Sequence, residues 1–198
     1  MAHSTKGRKF PPELLTAGEV QQLLHLCNPR YPTGLRNRAL LVTLVRSGPR
    51  IHEALALEVG DIDFDLGQIT IRRGKGGKRR VIGIDQDALT VVRQWAVRRA
   101  TLPNPTGAFF CSLRGTPLST SYANNWCKRL QRKSGIGKRI HPHLFRHQCA
   151  SQAALEGVPL VSIQRQLGHH SISTTDRYLR AIQPVEAIGV FSRRSWAA

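Results

Sequence analysis

The sequence predicts a mainly α-helical domain with a small antiparallel β-sheet, an α+β class, on three observations. Apolar residues recur at helical spacing through most of the 198 residues. One region alone alternates with a period of two, on both sides of a glycine-rich turn. Pro142, Gly157 and Pro159 fall where helical segments start and stop.

In chain order, the first residues are polar and basic and read as a flexible arm over 1–14. Thr16-Ala-Gly-Glu19 has capping-box spacing and precedes Val20, Leu23, Leu24 and Cys27, the i, i+3, i+4, i+7 set of an amphipathic helix. Residues 35–46 are apolar on most sides and predict a buried helix ending at Ser47-Gly48-Pro49, with a new helix from Arg50 to about Glu58. QITIRR (68–73), GKGG (74–77) and RRVIGI (79–84) predict a hairpin with a basic tip, and AFFCS (108–112) a third strand. Asp85 suits the cap of a helix carrying Leu89, Val92, Trp95 and Ala96. A helix over 119–133 places Tyr122, Trp126 and Leu130 on one face. Pro142 opens a helix that Gly157 ends, and Pro159 opens another with Leu160, Ile163 and Leu167 inward. Ser171 or Ser173 opens a last helix holding Tyr178, and the tail is apolar and then basic. No internal repeat or linker divides the chain.

The charge balance narrows the partner. Thirty Lys and Arg against twelve Asp and Glu give a formal net charge of +18, and such an excess favours a polyanion, since basic surface releases condensed counterions from nucleic acid. Arg72, Arg73, Lys78, Arg79 and Arg80 around the hairpin are expected to contact DNA phosphates. The same is expected of Lys128, Arg129, Arg132, Lys133, Lys138 and Arg139. Cys27, Cys111, Cys127 and Cys149 form no CxxC pair and read as reduced, buried thiols rather than a disulfide framework or zinc site. The start MAHSTKGRKF has no apolar core of a signal peptide, and ALLVTLV (39–45) is too short to span a membrane. These features predict a soluble protein of the cytoplasm, associated with the nucleoid.

Several polar residues stand at the mouths of the predicted elements. Arg50 follows a Gly-Pro turn, Lys75 sits between glycines at the hairpin tip, and His143 and Arg146 share a helix face. His169 and Tyr178 follow. Singly, each has an ordinary reading as a surface charge, a helix terminus or a packing residue. Together they suit one chemistry. A phenol with a pKa near 10 is a weak nucleophile at neutral pH unless its target is made electrophilic. Two arginines on the non-bridging oxygens of a phosphodiester do that and hold the charge of a pentacoordinate transition state. Histidines can handle the tyrosyl proton, and a lysine on a hairpin can protonate the leaving oxygen. The set suits metal-free attack of a phenol on a DNA phosphate.

The strings SGPRIHEAL, RGKGGKRR, HPHLFRH and LGHHSISTTDRY, in that order, resemble the signature regions of the tyrosine recombinase (phage integrase) family over about residues 15–185. The resemblance implies that family's catalytic-domain fold. It also implies site-specific cleavage and rejoining of double-stranded DNA through a 3′-phosphotyrosyl link, with no cofactor, metal or ATP. It makes Arg50 and Arg146 the catalytic arginines, Lys75 the hairpin lysine, His143 the partner of Arg146 in an H-x-x-R pair, His169 the histidine of the LGH box and Tyr178 the nucleophile. Glu53 matches an acidic position that supports the site from behind. A tetramer on paired DNA sites, accessory DNA-bending proteins and docking of 183–192 on a neighbouring subunit belong to the same implication, with 186–198 a tail exchanged between subunits.

Three departures from the family pattern stand out. Pro49 replaces a bulky aliphatic residue and stiffens the turn before Arg50. Gln148-Cys149 replaces a small hydroxyl and an aromatic residue, with a packing effect expected. Family members also carry an N-terminal helical domain that closes a clamp on DNA, whereas this sequence holds little beyond the catalytic domain, as expected either of the short recombinases that invert fimbrial promoters or of a truncated piece of a longer chain. Other readings are a DNA-binding regulator without chemistry, a type IB topoisomerase or hairpin telomere resolvase, and a zinc hydrolase using His141, His143, His147, His169 and His170. The last is weakened by the lack of HExxH or a carboxylate-rich set.

Overall fold

The computed structural model describes residues 13–72, 74, 79–103 and 106–168. Seven helices among these residues surround a three-stranded antiparallel sheet: α1 (Ala17–Leu26), α2 (Pro32–Arg46), α3 (Ile51–Leu55), β1 (Ile62–Asp63), β2 (Gln68–Ile71), β3 (Arg80–Gly83), α4 (Gln86–Ala100), α5 (Thr120–Ser134), α6 (Pro142–Leu155) and α7 (Leu160–Leu167). Residues 1–12 of the arm, Arg73, Lys75, Lys78, His169, Tyr178 and the tail lie outside the described residues.

Local signals set most helix ends. Thr16 Oγ1 accepts the Glu19 N–H at 3.1 Å while Glu19 Oε2 accepts the Thr16 N–H at 2.7 Å, a reciprocal capping box that opens α1. Asp85 and Ser119 accept the N–H groups of Ala88 and Tyr122 and open α4 and α5. Pro32 and Pro142 occupy the first turns of α2 and α6, where a missing N–H costs nothing. Gly157, at φ 80, follows the end of α6.

α2 is the central helix, buried at Ala39, Leu40, Leu41 and Leu44, and it packs against α4 and α6. The buried hydroxyl of Thr43 is satisfied by donating to the Ala39 carbonyl at 2.8 Å. The main core runs from Leu15 to Phe145 through all elements but α7. A smaller cluster of Ala150, Ile163 and Leu167 fixes α7 to α6, and α7 also packs on β3. The last turn of α7 is thereby held beside the turn that ends α2.

Two expectations are corrected. The helix from Arg50 stops at Leu55 rather than near Glu58, because the backbone beyond it pairs elsewhere. Phe109 N–H donates to the Leu57 carbonyl at 2.6 Å and Val59 N–H to the Gly107 carbonyl at 3.3 Å. The segment 108–112 is not a strand of the sheet. It makes isolated bridges at Ala108 and Cys111 and buries Phe109 and Phe110 completely, while the third strand is β1, pairing Ile62 with Ile69. The two expected hairpin strands do pair antiparallel, with Gln68 opposite Gly83 and Ile71 opposite Arg80.

Candidate active site

Gly48, in the turn between α2 and α3, has φ +68, and a Cβ there would fall 2.7 Å from Leu167 Cδ2 and 2.9 Å from Cys149 Sγ. Only glycine allows both the backbone angle and this approach of three segments. Arg146 on α6 bridges them. Its Nη1 donates to the Gly48 carbonyl at 2.7 Å and its Nη2 to the Leu167 carbonyl at 2.6 Å. The second bond places a cation on a carbonyl of the last turn of α7, at the negative end of that helix. At 4 % exposure, Arg146 is a buried charge whose plane is fixed by backbone acceptors.

Arg50 caps α3 from the same turn. Its backbone N–H donates to Glu53 Oε2 at 2.8 Å and its Nη1 to Glu53 Oε1 at 2.9 Å, while Nη2 makes a long 3.5 Å contact with the Gly168 carbonyl. Burial alone raises the pKa of Glu53, but hydrogen bonds from Arg80 and from the Arg50 backbone, with the charges and side-chain bonds of both arginines, outweigh it and bring the value to about 2. Glu53 is therefore a carboxylate at any working pH, as a buttress between two guanidinium groups must be.

His143 sits exposed in the first turn of α6. Desolvation, and then the charges of Arg146, Arg50 and His52, push its pKa below 6.5. A neutral imidazole results at neutral pH, with one nitrogen able to accept a proton and the other to donate a hydrogen bond. The structure thus brings Arg50, Glu53, His143 and Arg146 to one place, and Gly168, the residue before His169, ends α7 against them with φ +67.

The remaining basic residues divide. Arg79, Lys128, Arg129, Arg132, Lys133 and Arg139 are exposed. Arg72 is also exposed but bridges Glu58 and Asp61, each at 2.6 Å. Two residues depart from the expected phosphate contacts. Arg80 gives both Nη atoms to Glu53, at 3.0 and 2.7 Å, with its side chain 15 % exposed. Lys138 spends its ammonium on Glu19 Oε2 at 2.6 Å and the Leu14 carbonyl at 2.8 Å. In both cases an acidic or carbonyl partner distant in sequence captures the charge.

Gln166 has no counterpart in the sequence-based set. Its amide accepts the Gly83 N–H at 2.9 Å and donates to the Gly83 and Ser47 carbonyls at 2.7 and 3.0 Å, tying α7 to the edge of β3 and to the turn below Arg50. No local pattern marks it. Gln148 does more than fill space: its Oε1 accepts the Leu15 N–H at 2.9 Å and anchors the chain ahead of α1. Cys149 contacts the Gly48 turn, its Sγ lying 3.6 Å from the Arg46 carbonyl. All four cysteines are free and buried, and burial lifts the Cys27 thiol to about 11 and those of Cys127 and Cys149 to about 12. Among the described residues no helix is long and apolar enough to cross a membrane.

A helical domain with a small hairpin sheet that gathers Arg50, Glu53, His143 and Arg146 at the junction of three segments has the architecture of a tyrosine recombinase catalytic domain. The sequence profile of the Phage integrase family matches residues 13–183, and the chain belongs to that family. It is 34 % identical over 195 residues to the tyrosine recombinase XerC of Syntrophus aciditrophicus, covering 93 % of this chain and 61 % of the relative. It is 32 % identical to XerC of Lactobacillus delbrueckii subsp. bulgaricus, covering 87 % of this chain and 60 % of that one. The chain thus spans about three-fifths of the curated relatives it matches. Among solved structures, XerA recombinase superposes with a TM-score of 0.82 at 25 % identity, over 96 % of this chain and 68 % of that one. XerH recombinase, bound to its palindromic difH substrate in a post-cleavage complex, gives 0.75 at 25 % identity over 96 % and 56 %. The expected fold class and family are confirmed.

Proposed function

We propose that this chain cleaves and rejoins double-stranded DNA at specific sites through a covalent tyrosyl intermediate. The observation that carries the reading is the convergence of Arg50 and Arg146, held by Glu53, Gly48 and Leu167, beside a neutral His143. Family membership and the likeness to recombinases support it.

In this reading the two guanidinium groups take the non-bridging oxygens of the scissile phosphate and stabilise the charge that grows on them. The Tyr178 oxygen bonds to phosphorus, its proton passes to a neutral histidine, and the bond from phosphorus to the 5′ oxygen breaks. Lys75 supplies the proton that the departing 5′ oxygen takes, and His169 adds a hydrogen bond to the phosphate. Attack by a 5′-hydroxyl from a partner strand reverses the sequence and frees the tyrosine. The phosphotyrosine conserves the energy of the broken bond, so neither metal nor ATP is required. The exposed basic residues of α5 hold the DNA backbone, and the working assembly is a tetramer on two duplexes, with 183–192 docked on a neighbouring subunit and accessory DNA-bending proteins as possible aids. Its place of action is the cytoplasm, at the nucleoid.

The test is Tyr178→Phe on a nicked duplex. The change removes one oxygen, so DNA affinity stays as it was while the denaturant-resistant protein–DNA adduct disappears. An adduct formed by the Phe variant would reject Tyr178 as the nucleophile. For Lys75→Ala, cleavage of an ordinary substrate slows by about 10² for a lost general acid, while a substrate with sulfur at the 5′ bridging position, which leaves without a proton, is cut at nearly the wild-type rate. Equal slowing on both would make Lys75 a phosphate binder.

A further inference from the structure

Arg80 stands where a phosphate contact was expected and is instead built into the interior. It opens β3, and the two-residue period of the strand puts it on the face of Ile82 and Ile84, which are 1 % and 7 % exposed. Its cross-strand neighbour Ile71 is 2 % exposed. A cation at the inward end of such a face must be met by an acceptor, and Glu53, with a fully buried side chain, meets it.

The bonding forms a closed ring. Glu53 Oε1 accepts from Arg80 Nη1 at 3.0 Å and from Arg50 Nη1 at 2.9 Å. Glu53 Oε2 accepts from Arg80 Nη2 at 2.7 Å and from the Arg50 backbone N–H at 2.8 Å. Each carboxylate oxygen thus serves one donor from either arginine. On the far side both arginines meet Gly168. Arg50 Nη2 reaches its carbonyl at 3.5 Å, and a Cβ on Gly168 would lie 2.8 Å from Arg80 Nε and 3.0 Å from its Cζ. The guanidinium of Arg80 therefore lies flat against the glycine that precedes His169, and a side chain there would displace it.

We propose that Arg80 is a positioning residue for strand cleavage: by gripping both oxygens of Glu53 it fixes the direction in which Glu53 aims the guanidinium of Arg50. The inference rests on the cleavage reaction proposed above. Arg80 itself touches no DNA in this role. A fork is needed, because a single ammonium cannot hold two carboxylate oxygens in one plane. Without it Glu53 keeps only the Arg50 bonds, Oε2 on the backbone N–H and Oε1 on Nη1, and the Oε1 that meets the Arg50 guanidinium loses the second donor that fixes it from outside Arg50.

The experiment uses Arg80→Lys and Arg80→Met in the full chain. The probe is a nicked duplex drawn from a random-sequence pool by covalent capture on the wild-type protein. Thermal melting, DNA affinity and the single-turnover rate of adduct formation at saturating protein are measured, the last on the phosphodiester and on the same duplex with a methylphosphonate at the scissile position. A methylphosphonate has one charged oxygen fewer, so its cleavage depends little on the charge of Arg50. The expected result is near-unchanged affinity, with phosphodiester cleavage slowed by about 10² for a misaimed group. On the methylphosphonate, variant and wild type should cut at similar rates, and Arg50→Ala, which removes the charge, should show the same relief. Equal slowing on both substrates would overturn the proposal, since a merely structural defect does not distinguish them. Weakened affinity with an unchanged saturated rate would overturn it too, by making Arg80 a phosphate contact. Loss of cooperative melting in both variants would make the ion pair a folding element and end the proposal. A wild-type protein that forms no adduct would instead reject the cleavage reaction itself, and the inference with it.

Discussion

Arginine is put to opposite uses in two regions of this molecule. At the junction of the α2–α3 turn, α6 and α7, the guanidinium groups of Arg50, Arg80 and Arg146 are withdrawn from solvent and fixed by Glu53 and by the carbonyls of Gly48, Leu167 and Gly168. On α5, Lys128, Arg129, Arg132 and Lys133 are exposed, and none of them forms an ion pair with another described residue. The first arrangement gives up hydration for fixed direction, which is what a transition state can use. The second keeps hydration and mobility, which suits a backbone contact made by releasing counterions. The net charge of +18 therefore overstates the surface available to DNA, because part of it is committed inside.

The largest effect that separates the regions is on cleavage rate. Arg50→Lys keeps the charge but loses the fork, and adduct formation at saturating protein should fall by about 10²–10³, the range for removing one oxyanion donor, with little change in affinity. An unchanged rate would show that Arg50 belongs with the α5 face. Gly48→Ala comes next. The methyl meets Leu167 and Cys149 and a left-handed backbone angle disfavours it, so unfolding free energy should drop by about 2–4 kcal/mol, read by denaturant titration.

A third test uses pH. The folded pKa of Glu53, about 2, lies below its ordinary value of 4.5, so its contribution to stability is complete above 4.5 and is lost as pH falls through about 2. The melting temperature of Glu53→Gln should fall short of wild type by a constant amount above pH 4.5, and the gap should narrow towards pH 2. A gap independent of pH would mean that the charge of Glu53 is not what holds the arginines. The smallest effect is on the other side of the comparison. Lys128→Ala and Arg132→Ala should leave the saturated cleavage rate unchanged, and each should lower the slope of log affinity against log salt by about 1 if it meets a phosphate.

What the sequence made legible follows from the range of the interactions. The capping box at Thr16, the caps Asp85 and Ser119, the proline starts and the hairpin are decided by residues within a few positions of one another. The short α3 and the displaced third strand are decided by contacts between 57–59 and 107–109, and no window of sequence contains both. The same holds at the site. Arg50, Glu53, His143 and Arg146 were visible because the spacing and order of their motifs are distinctive. The duty of Lys138 depends on Glu19, which lies 119 residues away, and that of Gln166 on Gly83 and Ser47. Arg80 was a readable case that the charge of the hairpin obscured, since Arg80, Ile82 and Ile84 share the parity that points inward.

Identifying the residue that carries the DNA tests the central claim most directly. The chain has three tyrosines, at 31, 122 and 178. Tyr31 is 65 % exposed, and the hydroxyl of Tyr122 is engaged with Arg36 and Asn37. Protein trapped on a nicked duplex, digested with protease and nuclease and sequenced by mass spectrometry, should carry its nucleotide remnant on Tyr178 alone. A remnant on Tyr31 or Tyr122, or no remnant on any tyrosine, would contradict the account.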